Sequence, residues 1–243
     1  MNNIRDLRQA EFAEQWLASN RFNIMLLCPR FGKIRTTILI LEKLKKNITI
    51  LIAYPNTPIK KSWENDFKKW GYNDTNITYV THLSLNKFKD CLYDLVIIDE
   101  IHTLSKNQID VCVELFKDNK SVIGLTGTMS SWTERVLRED LGIGVLARYP
   151  IEKAILEGVL PDYEISVVRV DLDDRIKNLY GKFYYTEKKR FSYLSKKIIE
   201  LENAGRDTKF LRFERMRVIQ NSVSKLEKTK ELLSLHQKER VLV

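Results

Sequence analysis

Two short stretches of this sequence carry residue types and spacings suited to phosphate chemistry. Cys28-Pro29-Arg30-Phe31-Gly32-Lys33 lies between an apolar run, Ile24-Met25-Leu26-Leu27, and Arg35-Thr36-Thr37-Ile38-Leu39-Ile40-Leu41. The pattern predicts a buried strand, a tight loop and an amphipathic helix. A helix that opens here aims its free N–H groups and positive dipole end at the loop, where an anion is stabilised. Gly32 lets the backbone approach a phosphate without a Cβ, and Lys33 supplies a cation for the outer phosphates. Gly-Lys alone equally describes a surface turn. The second stretch, Val96-Ile97-Ile98-Asp99-Glu100-Ile101-His102, ends another apolar strand on two adjacent carboxylates. Neighbours on a strand point to opposite faces, so Asp99 and Glu100 can divide two roles between them.

The elements that must position these residues follow from periodicity. Residues 4–19 place Leu7, Phe12, Trp16 and Leu17 on one helical face. Ile48-Thr49-Ile50-Leu51-Ile52-Ala53-Tyr54 is β-prone and apolar on both faces, and Pro55-Asn56-Thr57-Pro58 breaks it. Pro58 suits the first turn of a helix running through Trp63 to Trp70. Asn76-Ile77-Thr78-Tyr79-Val80 and Ser121-Val122-Ile123-Gly124-Leu125 read as further strands, the latter ending in Thr126-Gly127-Thr128. Strands that end in polar residues and feed helices describe an α/β fold with a parallel central sheet and its site at the carboxyl edge. Residues 164–172 alternate well enough for one more strand, and from Asp173 to about Gln237 the pattern is helical, with a break near Gly205.

Together these stretches resemble motifs I and II of the superfamily-2 helicases and translocases, in the broad DEAH-like group and closest to its phage and restriction-enzyme flavour. The resemblance implies a RecA-like P-loop NTPase domain over residues 1–172, a mostly helical basic segment over 173–237, and the start of a second RecA-like domain at 238–243. It implies ATP and Mg²⁺ as ligands, with Pro29, Arg30, Phe31, Gly32, Lys33, Ile34 and Arg35 forming the phosphate loop and Gln9 reading the base. In that scheme Lys33 cradles phosphate, Asp99 anchors the Mg²⁺ shell and Glu100 orients the attacking water. His102, Thr126, Gly127 and Thr128 couple this site to a nucleic-acid groove, to which Asn56, Thr57, Lys60, Thr81 and Ser84 offer contacts. The loop departs from the family pattern where Leu27 and Arg30 replace small residues. Ile34 stands in place of the hydroxyl that normally ligates Mg²⁺, and Thr36 and Thr37 are the nearest substitutes.

Composition bounds the rest. The net charge is +9, and from Asp173 onward 18 Lys/Arg face 10 Asp/Glu, so most of the excess sits in the last third. Basic residues among aromatics suit phosphate contact and base stacking, with DNA preferred to RNA as partner and Arg212, Arg215 and Arg217 as candidates. A solvated helical face with an aromatic core explains the same composition. Cys28, Cys91 and Cys112 have no metal-ligand spacing, and no apolar run approaches the ~18 residues a membrane span needs. No apolar leader opens the sequence, and the expected location is the cytoplasm, of a host if the protein is viral. The functional expectation is an ATP-dependent DNA helicase or translocase motor. The alternatives are a catalytically weak helicase-derived module that binds nucleic acid or a partner, or half of a split motor.

Overall fold

A computed structural model describes residues 4–44, 47–73, 76–119, 121–175, 177–180 and 183–235. The chain divides into two compact units, Met1–Tyr163 and Glu164–Val243. The first is built from α1 (Ile4–Ala18), β1 (Phe22–Leu27), α2 (Lys33–Lys43), β2 (Ile50–Tyr54), α3 (Thr57–Lys69), β3 (Ile77–Thr81), β4 (Leu95–Asp99), α4 (Lys106–Asp118), β5 (Val122–Thr126), α5 (Ser131–Leu141), β6 (Gly144–Tyr149) and α6 (Ile151–Leu156). Short 3₁₀ turns at His82–Phe88 and Ile101–Thr103 follow β3 and β4. The six strands form one parallel sheet in the order β3-β2-β4-β5-β1-β6.

Every residue of β2, β4 and β5 is buried, as their unbroken apolar runs require of strands covered on both faces. Alternate residues serve opposite layers. Ile50, Ile52, Leu95, Ile97, Ile123 and Leu125 join the core under Trp16, Ile38 and Trp63. Leu51, Ala53, Val96, Ile98 and Val122 join the one under Ile109, Leu115 and Leu137. Gly124 leaves room in β5 for this packing, since a Cβ there would lie 2.9 Å from Ile24 and 3.0 Å from Ile101. From β1 the chain crosses to β2 on one side of the sheet, whereas from β5 it crosses to β6 on the other. The connections after neighbouring β1 and β5 therefore diverge, which opens a crevice at their carboxyl ends.

The second unit differs from the sequence expectation in two places. Residues 164–172 carry no regular secondary structure, and Ile165 and Val167 are exposed. Alternation supplies one apolar face, but a strand also needs a ladder partner, and none of the strands pairs here. The segment read as mostly helical begins with an antiparallel hairpin that the sequence reading did not foresee, β7 (Lys177–Tyr180) and β8 (Phe183–Thr186), before α7 (Glu187–Asn203), α8 (Lys209–Gln220) and α9 (Val223–Leu235). The break between α7 and α8 falls at Gly205, with φ of 67°. Residues 238–243 lie outside the described residues.

Glu187, at the start of α7, is the buried tie of this unit. Its carboxylate accepts from Val223 N (2.7 Å), Ser222 Oγ (2.8 Å) and Asp173 N (3.1 Å). Glu187→Ala should leave buried donors without an acceptor, at a cost of about 1–3 kcal/mol for each group left unsatisfied. Hydrogen exchange at 222–223 and denaturant unfolding followed by far-UV circular dichroism would read that loss, with the first unit unaffected.

Candidate nucleotide site

The three strand ends that carry polar residues are neighbours in space because β5 lies between β4 and β1. The loop after β1 begins where Cys28 N donates to Tyr149 O of β6 (2.9 Å). Pro29 and Arg30 are exposed, and Arg30 has φ of 63°. Phe31 turns inward, fully buried, with its ring 4.7 Å from Tyr149 and 5.7 Å from Phe12. Its part in the loop is thus an anchor, and only its backbone faces the site. Gly32 has φ of 101° and caps α2. A Cβ at this position would lie 2.5 Å from Gln9 Nε2, which donates to Phe31 O at 2.7 Å. Left-handed backbone and close approach together require glycine here. Gln9, expected to read a base, is buried against the loop, and its amide nitrogen is engaged by the loop backbone.

Lys33, in the first turn of α2, makes an ion pair with Glu100 Oε1, and both side chains are partly buried. Glu100 itself has φ of 50°, an uncommon conformation for a residue with a Cβ. Its other oxygen lies 3.4 Å from His102 Nδ1, which is 2.7 Å from Thr126 Oγ1. The Thr126 hydroxyl is also 2.7 Å from the Thr128 carbonyl, which can only accept, so the hydroxyl proton goes there. His102 Nδ1 must then carry its own proton and donate it to Thr126, with the Glu100 oxygen 3.4 Å away. A chain of close polar contacts runs from Lys33 through Glu100 and His102 to Thr126. Gly127 sits against the loop, since a Cβ on it would meet Pro29 at 3.3 Å.

Asp99 is buried at the end of β4. Its Oδ2 accepts from Trp63 Nε1 of α3 (2.9 Å) and its Oδ1 from Glu100 N (3.0 Å). Burial pushes its carboxyl up, opposed by the Lys33 ammonium and the Trp63 indole. Trp63 is a site residue that spacing did not reveal: a tryptophan on the apolar face of a helix reads as core, and nothing local marks its N–H as directed at a carboxylate.

The remaining predicted residues divide into groups. Ile34 is half-buried against the core, and it offers no oxygen to a metal. Thr36 and Thr37 are fully buried, their hydroxyls donating back to Gly32 O (3.3 Å) and Lys33 O (3.1 Å), which directs both into the helix. Arg35 pairs with Glu42 (3.1 Å) and lies 4.2 Å over the Trp70 ring, along α2 toward the end of α3. Asn56 and Thr57 are exposed where α3 begins, at the carboxyl end of β2. Lys60 is held by Glu64 (3.5 Å) and the Tyr79 ring (5.4 Å), and Thr81 donates to Ser84 (3.2 Å) beyond β3. In the second unit, Arg212 is bound twice by Glu202, Arg215 lies 5.7 Å over Phe191 and Arg217 is exposed.

No family model matches the chain. It is 23% identical over 99% of its length to the DNA 3′-5′ translocase XPB2 of Sulfurisphaera tokodaii, and it spans 60% of that protein. The helicase domain of Hef from Pyrococcus furiosus superposes with a TM-score of 0.52 and 17% identity, over 82% of this chain and 48% of that one. The UvsW helicase of bacteriophage T4 gives a TM-score of 0.48 and 16% identity, over 58% of this chain and 59% of that one. The fold is a RecA-like α/β domain followed by a helical part, as the superposition on the Hef helicase domain shows.

His82 supplies a pH prediction. It is buried beside the Asp99 and Ala53 backbones, and burial holds its imidazole down at about 4. The native state therefore keeps it neutral while the unfolded chain takes up a proton below about 6.5. Stability contributed by the neutral ring is full above that value and is lost as pH falls toward 4, by up to about 3 kcal/mol. Denaturant unfolding of wild type and His82→Asn across this window should show a shallower pH dependence in the variant.

Proposed function

We propose that this chain is the nucleotide-binding part of an ATP-dependent DNA helicase or translocase motor. The observation that carries the reading is the Lys33–Glu100–His102–Thr126 chain at the carboxyl edge of the sheet, beside a left-handed glycine and a helix N-terminus. Its similarity to a DNA translocase over nearly its whole length supports the same class, and the chain spans 60% of that relative.

The residues fit a polyphosphate. Gly32 and the opening of α2 present backbone donors, and Lys33 supplies the cation for the outer phosphates. A phosphate that takes Lys33 draws it from Glu100, whose carboxylate is then free to orient a water while His102 still holds its second oxygen. That exchange gives the His102–Thr126 contact a physical reason to respond to nucleotide. Release of Glu100 would be passed to the backbone of Thr128 and to the loop residue Pro29 packed on Gly127.

The fit to Mg²⁺ is poorer. When bound, the ion would neutralise charge on the outer phosphates. Of the expected oxygen donors only Asp99 is present, because Ile34 has none and Thr36 and Thr37 point into the helix. Mg²⁺ retains several waters and accepts few protein ligands, so Asp99 with phosphate oxygens forms a minimal set.

Two substitutions test these statements. Lys33→Ala should weaken ATP binding by about 10–100-fold, the scale of a lost charge-assisted hydrogen bond. Equal affinity by calorimetric titration in wild type and variant would remove the loop from nucleotide binding. Ile34→Thr should raise affinity in the presence of Mg²⁺ and leave affinity in chelator nearly unchanged. It should also lower stability by about 1 kcal/mol, since Ile34 gives up apolar contact with the core. A folded variant without a Mg²⁺-dependent gain would show that this position does not limit the metal.

A further inference from the structure

The sequence draws attention to the arginines of α8, but the structure leaves a different surface of the second unit available. A concave surface of about 420 Å³ is lined by Asp174, Lys188, Lys189, Ser192, Tyr193 and Lys196. Residues four apart on a helix stack along its axis. Lys188, Ser192 and Lys196 therefore form one row on α7, and Lys189, Tyr193 and Lys197 form the adjacent row. Each row runs about 12 Å, long enough for more than one phosphate.

Charge pairing separates this face from three of the arginines of the same unit. Arg175 pairs with Asp173, Arg190 with Glu214 and Arg212 with Glu202. Among the described residues, Lys188, Lys189 and Lys196 make no ion pair, and three lysines face one acidic group at the surface. That group, Asp174, accepts the Thr186 hydroxyl at 2.8 Å. Beside the lysines stands an aromatic platform. The Tyr193 ring stacks on Tyr185 with centroids 6.1 Å apart and an 18° angle between planes. Arg190 and Lys197 lie 5.5 Å and 5.6 Å from its centroid, and Lys197 Nζ donates to its hydroxyl at 3.3 Å. Although held on these sides, Tyr193 remains 41% exposed.

We propose that this face of α7 binds single-stranded nucleic acid, with the lysine rows taking successive phosphates and Tyr193 taking a base. A duplex offers phosphates but no free base face, so an exposed, braced ring next to unpaired lysines favours a single strand. The proposal rests on the reading of the chain as a nucleic-acid motor and places a strand contact that the motifs do not assign.

The test uses the full chain and a fluorescein-labelled oligothymidylate, followed by anisotropy over a series of salt concentrations. Lys188→Gln/Lys189→Gln/Lys196→Gln should reduce the slope of log K against log salt by about 2 units, because each phosphate contact on a single strand contributes about 0.7. Tyr193→Leu should weaken binding by about 5- to 150-fold with the slope nearly unchanged, the range for loss of one stacked base. Arg212→Gln/Arg215→Gln/Arg217→Gln should change the slope less than the lysine variant. All substituted positions except the partly buried Arg215 are exposed, and far-UV circular dichroism checks that each variant is folded. Wild-type binding with an unchanged slope in the lysine variant overturns the site and leaves the motor reading standing. No binding by wild type even at about 50 mM salt, where phosphate contacts are strong, overturns both. Tighter binding of a matched duplex, or equal competition by inorganic tripolyphosphate with no effect of Tyr193→Leu, overturns the single-strand assignment.

Discussion

The site exists because a parallel sheet buried on both faces has only its ends available for polar chemistry. β2, β4 and β5 are apolar throughout until their last residues, and their side chains fill the layers on either side. Connections leaving β1 and β5 in opposite directions keep the carboxyl end between them uncovered. Lys33, Asp99–Glu100 and Thr126 are far apart in sequence, and this one topological feature brings them together. Packing tolerances then fix their spacing. Gly124 sets how closely β5 approaches Ile24 and Ile101, while Gly127 and Gly32 let the loops touch Pro29 and Gln9.

Within the crevice the competition is between charge and burial. Asp99 is carried into an apolar layer where ionisation is disfavoured, and Lys33, the Trp63 indole and the Glu100 N–H counter that cost. Trp63 belongs to α3, whose amino end begins at exposed Asn56 and Thr57. A single helix therefore holds both an exposed loop and a hydrogen bond to the buried carboxylate, and a displacement of that helix would be felt at Asp99. Glu100 adds a second constraint. Its left-handed backbone is disfavoured for a residue with a Cβ, and such conformations persist where surrounding contacts over-determine them. Here those contacts are Lys33 and His102 on the side chain and Asp99 Oδ1 on the backbone N–H.

Strands β1 to β5 and the two strand-end motifs were legible because continuous apolar runs and polar terminators are local signals, whereas β6 was not foreseen. Gly32 and Lys33 were legible for the same reason, since a helix N-terminus and its loop are contiguous in sequence. Trp63 and His82 were not, because their importance comes from Asp99 and from the backbone around it, which are distant in sequence. Residues 164–172 misled in the opposite direction. Alternation there is real, but sheet membership depends on a neighbour that no periodicity can supply. The β7–β8 hairpin was missed because its aromatic residues fit a helical face as readily as a strand, and a short hairpin lacks the length that separates the two patterns.

Charge shows the same limit most clearly. Composition counts Lys and Arg alike, yet the second unit uses them differently. Its arginines tend to be spent internally: Arg175, Arg190 and Arg212 each meet a carboxylate, as a planar fork with several fixed donors favours. An ammonium on a flexible stem is strongly hydrated and loses more by being fixed in one pair, so lysines are the charges left facing solvent along α7. A count of basic residues is consequently a poor guide to available charge, since on α8 Arg212 is held by Glu202 while Arg217 is exposed. Among the described residues Lys188, Lys189 and Lys196 beside Tyr193 make no ion pair while Arg212 is held by Glu202, so the availability of a charge is decided residue by residue and not by the composition of its helix.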